Sequence, residues 1–208
     1  MDALIRPATE HPVQEINTTT DTRDYLAKSR QDAERKGYAD WLIVDVDAHH
    51  VETVSWPEVT SFIEDPVVRD QAKMYHSERI GAPPYGLNGD LGLRYQDVGG
   101  RIPHQSSQRE KVTETDVHRD VVLTRRAMHG LGVDYMVIFP TPMLFLGMHP
   151  QTEMEVFLSR AYNRWLTEKV LPGDPGMVTL VVLPFNTLLK LLRWLKNLQI
   201  PLGYLQIL

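Results

Sequence analysis

There is no cysteine among the 208 residues. That absence excludes a disulfide scaffold, a thiol nucleophile and every thiolate-ligated zinc or iron–sulfur site. Any metal must therefore rest on His, Asp or Glu. A surplus of positive charge is also missing: 22 Lys and Arg stand against 27 Asp and Glu, a net charge of −5. A dedicated nucleic-acid binder usually carries a basic surplus, so no nucleic-acid partner is expected. No run approaches the ~20 apolar residues of a membrane span. The opening stretch, Met1-Asp2-Ala3-Leu4-Ile5-Arg6-Pro7, has no apolar core of signal-peptide length. No membrane association is expected, and the default location is cytoplasmic. Phosphate-binding fingerprints are missing too, because Gly99-Gly100 and Gly130-Leu131-Gly132 do not follow a strand and open a helix. No Gly-x-Ser-x-Gly elbow supports a serine hydrolase.

What is present suits one globular domain: 42% apolar and 24% charged residues. Residues 1–25 are polar and read as a flexible N-terminal arm. A helix is expected over 24–38, then a buried strand at Trp41-Leu42-Ile43-Val44-Asp45-Val46-Asp47, whose core is apolar and β-branched. Residues 53–112 are rich in Pro and Gly and read as a long loop, with short helices near 57–63 and 65–76. Asp116 to Gly130 reads as a helix, capped by Thr115 or Asp116 and ended by Gly130 and Gly132. Asp134 to Phe139 reads as a second buried strand. Met154, Phe157, Leu158, Ala161 and Trp165 form the apolar stripe of a helix over 153–171. Met177 to Leu183 reads as a third strand, Leu188 to Leu198 as a third helix, and 203–207 as the start of a fourth strand. Buried strands alternating with helices predict a parallel sheet with right-handed crossovers.

The chemistry concentrates at Asp45-Val46-Asp47-Ala48-His49-His50-Val51-Glu52. Strand alternation places Asp45, Asp47 and His49 on one face and His50 on the other. A carboxylate and an imidazole two residues apart can converge on one ion, and both suit Zn²⁺, Mn²⁺ or Fe²⁺. Ligands of parallel α/β folds bind at the C-terminal ends of the strands, where this cluster lies. The plain alternative is a set of polar residues that caps a helix or faces solvent.

Asp47, His49 and Glu52 form a D-x-H-x-x-E core that resembles the first-strand motif of the amidohydrolase-related branch of the amidohydrolase superfamily. Arg126 to Asp134 followed by Phe139-Pro140-Thr141 is similar to that family's join between helix and second strand. Ala161-Tyr162-Asn163-Arg164-Trp165-Leu166 is similar to its second helix. The resemblance spans about residues 41–52 and 113–186. It implies a (β/α)₈ TIM-barrel fold and a metal-dependent hydrolase or decarboxylase acting on a small aromatic or unsaturated carboxylic acid or a related compound. It implies Asp47 and His49 as ligands of one divalent ion, zinc first, with Glu52 supporting the site. The catalytic groups are not identified.

The family's remaining ligands come from later strands, and no histidine follows His149. A complete barrel takes ~250 residues. The expectation is thus a single incomplete barrel domain of three to four βα units, prone to self-association or homo-oligomer formation. The alternative is a catalytically inactive truncated remnant or an interaction subunit. Arg101 and His104, with Arg94, lie in the long loop and are candidates for binding a substrate carboxylate, against the ordinary expectation of solvated loop residues. His118 and His129 are expected on the surface, and Trp165 in the core.

Overall fold

The computed structural model describes residues 22–50, 52–74 and 112–187. The chain runs α1 (Thr22–Arg35), β1 (Val44–His50), α2 (Trp56–Ser61), α3 (Pro66–Met74), α4 (Arg119–Leu131), β2 (Tyr135–Pro140), α5 (Thr152–Trp165) and β3 (Met177–Thr179). Residues 1–21, 75–111 and 188–208 lie outside the described residues. With them lie most of the expected arm, the later part of the expected loop, Arg94, Arg101, His104, the 188–198 helix and the fourth strand.

The three strands form an open parallel sheet in the order β1-β2-β3. The fold is mixed α/β. One face of the sheet is buried: Met136, Ile138, Met177 and Thr179 point into a core shared with Val121 of α4 and Leu158, Tyr162 and Trp165 of α5. The other face, with Val44, Val46, Tyr135 and the half-buried Val137 and Phe139, carries no helix among the described residues. Among the described residues, helices thus cover one face of the sheet.

Helix α5 forms because its apolar positions recur at helical spacing, and Met154, Leu158, Ala161, Tyr162 and Trp165 are buried along that stripe. The helix loosens into a π turn over Leu166–Val170, then a 3₁₀ turn over Leu171–Gly173, where Pro172 and Gly173 end it. The stretch after β3 is not strand beyond Thr179. Asn163 takes the ladder's place there: its side chain donates to the Val182 carbonyl (2.8 Å) and accepts from the Val182 amide (3.0 Å).

Helix α4 starts later than its sequence predicts. Its N-cap is His118, whose Nδ1 accepts from the Asp120 amide at 3.1 Å, and not Thr115 or Asp116. Its C-terminus follows the glycine rule, with Gly132 at φ 69° and the Val133 amide reaching the Met128 carbonyl. Residues 52–74, the front of the expected loop, are helical and bury Trp56, Val59, Ile63 and Ala72 beside α5. Trp41 and Leu42, expected in a buried strand, precede β1 and are 71% and 75% exposed.

Gly130 marks the closest approach of α1 to α4. A Cβ at that position would stand 2.8 Å from Leu26 Cβ and 3.1 Å from its carbonyl oxygen. Overpacking of this kind costs about 1–3 kcal/mol, against a helix-propensity gain of about 1 kcal/mol. Gly130→Ala is therefore expected to lower the urea midpoint and to speed amide exchange in α1. An unchanged midpoint would show that α1 is not seated on α4.

Candidate metal-binding site

Strand β1 is not a regular strand. Asp45 pairs with Met136 and Ala48 with Ile138, so Val46 and Asp47 together face the single residue Val137. This bulge resets the alternation. Asp45 falls on the helix-covered face with Ala48 and His50. Asp47 and His49 fall on the open face with Val44 and Val46. The expectation that Asp45 shares a face with Asp47 is thus corrected. Instead, Asp45 Oδ1 accepts a hydrogen bond from the Asp47 amide at 2.9 Å, which satisfies a donor that the bulge displaces.

Asp47 and His49 meet at the C-terminal end of β1, with His49 Nε2 3.2 Å from Asp47 Oδ1. Phe139, the register partner of His49 on β2, stands with its ring centroid 5.8 Å from the imidazole and limits its swing. The Asp47 side chain is 83% exposed and that of His49 33%. Two ligands each about 2.1 Å from one ion at a near-tetrahedral angle stand about 3.4 Å apart, so the observed spacing fits a shared ion. It also fits a direct hydrogen bond between the two side chains. The donor set, one hard oxygen and one borderline nitrogen, suits zinc, manganese or iron. Among the described residues, no group of three or more His, Asp or Glu is placed to hold an ion.

His50 points the other way, into the core. Its Nε2 lies 2.7 Å from the Tyr162 hydroxyl and its Nδ1 3.2 Å from Asp120 Oδ2, and its ring stacks on Trp165 at 5.9 Å. Burial pushes the Asp120 carboxyl up. The hydrogen bond and charge of His50, helped by His118 and Arg119, overcome that and hold it below the usual carboxylate range. Burial also pushes the Tyr162 hydroxyl well above its ordinary value, with Glu52 and Asp120 adding to it. His118, expected on the surface, is part of this assembly: Nε2 lies 3.2 Å from Glu58 Oε2, which also accepts from Trp165 Nε1 at 3.1 Å. Sequence reasoning missed this network. The only signal for it was the 161–166 stretch, which contains Tyr162 and Trp165.

Glu52 is fully buried behind the site. Its two carboxylate oxygens accept from the Thr141 amide (2.9 Å) and the Met143 amide (2.6 Å), while Thr141 Oγ1 donates to the His50 carbonyl (2.7 Å). It therefore ties the segment after β1 to the segment after β2. Burial pushes its carboxyl up to about 7, against the pull of the His50 charge and the two amides.

Beside β1, at the end of the three-stranded sheet, lies a cavity of about 230 Å³. Asp45, Asp47, His49, His50, Arg119 and Asp120 supply its polar wall, and Leu123, Ala127, Leu131, Met136 and Ile138 its apolar one. His149 is buried after β2, with Nδ1 accepting from the Gln151 amide, and is not among these lining residues. No helix among the described residues is long and apolar enough to cross a membrane. Comparison of the sequence with protein-family models and with curated proteins finds no match.

Proposed function

We propose that this chain is part of a metal-dependent hydrolase or decarboxylase of the amidohydrolase-related type, built on a (β/α)₈ barrel. The observation that carries this reading is the Asp47–His49 pair. It is set by a bulge on the open face of a parallel sheet, at the C-terminal end of the first strand, with the side chains 3.2 Å apart. The order β1-β2-β3 with helices on one face supports the barrel, because a barrel keeps its helices outside and its ligands at that end.

Asp47 and His49 would hold the ion from one side, and Phe139 would keep the imidazole in place. A bound divalent ion supplies Lewis-acid chemistry at this position. The neighbouring cavity supports a small substrate. A cavity of roughly 150 Å³ holds benzene, so about 230 Å³ takes a single ring bearing one or two substituents. The apolar wall from α4 would bind the ring, and the polar wall beside Asp47 and His49 would receive its reacting group. Glu52 would act through position: it locks together the two loops that follow β1 and β2 and touches no substrate.

The test is turnover of a panel of aromatic and unsaturated carboxylic acids, esters and amides. Carbon dioxide release and hydrolysis are followed separately, with and without added Zn²⁺ or Mn²⁺. The expected outcome is turnover that a chelator removes and metal restores. Turnover indifferent to chelator would refute the metal-dependent reading.

A further inference from the structure

Apart from its histidines, the wall of the cavity beside β1 carries one cationic side chain among the described residues, Arg119. Three carboxylates, Asp45, Asp47 and Asp120, share that wall. An anion entering the cavity is repelled by each of them, so an acid binds there only with a positive partner within reach. Arg119 opens α4, and Leu123, Ala127 and Leu131 follow it at intervals of four residues, all lining the cavity. Residues four apart lie on one face of a helix. The stripe that α4 turns to the cavity is therefore a guanidinium followed by apolar side chains. It matches a molecule with a carboxylate at one end and a hydrocarbon body.

We infer that Arg119 is the carboxylate receptor of this cavity, and that the site selects ring-bearing acids over their neutral amides and esters. The inference deepens the proposed function and rests on its reading of the cavity as the substrate site, but not on the ion. The guanidinium is held without being saturated. Its Nη1 donates to Asp120 Oδ1 at 3.3 Å, and Asp120 Oδ2 stands 3.2 Å from His50 Nδ1. Nε and Nη2 make no hydrogen bond among the described residues. Those two atoms form one edge of the planar guanidinium, the fork that takes both oxygens of a carboxylate. His50 is the last residue of β1, so its contact with Asp120 sets Arg119 at the same end of the strand as Asp47 and His49. A carboxylate on Arg119 thus leaves the ring along Leu123 and Ala127, within the same cavity wall as the Asp47–His49 pair.

The experiment compares benzoate with benzamide, which share a ring and differ in charge. Each is titrated into the whole chain by NMR, once after chelator treatment and once with Zn²⁺ added. The expected result is benzoate binding at least about tenfold tighter than benzamide in both preparations. Arg119→Ala should weaken benzoate by roughly 10–100-fold and leave benzamide within about twofold. Arg119→Lys keeps a charge beside Asp120 and loses the fork, so it should fall between wild type and Arg119→Ala. Urea unfolding checks the fold of each variant, and Arg119→Lys carries the test if Arg119→Ala does not fold. A residue that only balances the Asp120 charge would lower the urea midpoint and weaken both ligands alike, which would overturn the inference. Benzoate binding that needs zinc and ignores both substitutions would also overturn it, while supporting the metal-binding reading. Binding that depends on Arg119 in a chain retaining no zinc would support the inference and count against that reading. No benzoate binding in either preparation would overturn the receptor outright.

Discussion

Glu52→Ala is expected to destabilise the protein by about 2–4 kcal/mol. The side chain is fully buried and accepts from the amides of Thr141 and Met143. Its removal leaves both donors without their partner in a closed space and opens a cavity between the ends of β1 and β2. Unfolding in urea measures the loss, and an effect below about 0.5 kcal/mol would show that Glu52 does not hold these loops together.

The same residue sets a pH dependence of a definite sign. Its carboxyl is raised to about 7 in the folded protein, so the folded state binds the proton more tightly than the unfolded state. Stability from this group is full below the unfolded value of about 4.3 and is lost as pH rises through about 7. Each tenfold gain in proton affinity is worth about 1.4 kcal/mol, so the fall between pH 4 and pH 8 is of order 3 kcal/mol. Asp120 works in the other direction. Held below the carboxylate range, it contributes stability that disappears only as pH falls through its lowered value. The Glu52 and Asp120 windows are separate, while His149, which burial holds below the usual histidine value, contributes stability that grows as pH rises through the histidine range. The contribution of Glu52 is the part of the neutral dependence that Glu52→Gln removes. A pH profile of stability that is the same in wild type and Glu52→Gln would contradict this assignment.

The second large effect separates two adjacent histidines. His49→Ala is expected to reduce metal-dependent turnover on the order of 10³-fold, about 4 kcal/mol at the transition state, with little change in folding stability. His50→Ala should do the reverse to stability. It leaves Asp120 and Tyr162 without their shared partner in the core, at a cost of about 2–4 kcal/mol. Chemical denaturation and steady-state kinetics on the two variants distinguish the roles. Equal loss of stability in both would mean that β1 carries no division between an open and a buried face at its end.

The strand–helix order is legible in the sequence because burial imposes a period. Met154, Leu158, Ala161 and Trp165 recur at helical spacing, and Met136 and Ile138 sit in a continuous apolar run. The directions of Asp47, His49 and His50 are legible because alternation runs normally from Asp47 onward. Asp45 was misplaced for the complementary reason: alternation counts residues, and a bulge adds one without any marker in composition. The cap of α4 was misplaced because His118 is not among the usual capping residues, yet its ring nitrogen reaches the Asp120 amide. Trp41 and Leu42 read as buried because an apolar run beside a parallel strand is normally covered on both faces. The role of Glu52 needed three-dimensional information, since its partners lie 89 and 91 residues away.

The proposed metal site stands most directly on one quantity, the zinc affinity of the Asp47–His49 pair, measured at neutral pH by competition with a chromogenic chelator. Replacing partners outside the ligand set typically costs ~10–100-fold in metal affinity, so loss of a ligand should exceed that. The expected result is zinc binding in the wild type that is weakened more than about 100-fold in both Asp47→Ala and His49→Ala. His118→Ala, whose ring contacts Glu58 and not the pair, should bind as the wild type does. Equal zinc affinity in wild type, Asp47→Ala and His49→Ala would contradict the metal site, and with it the proposed chemistry.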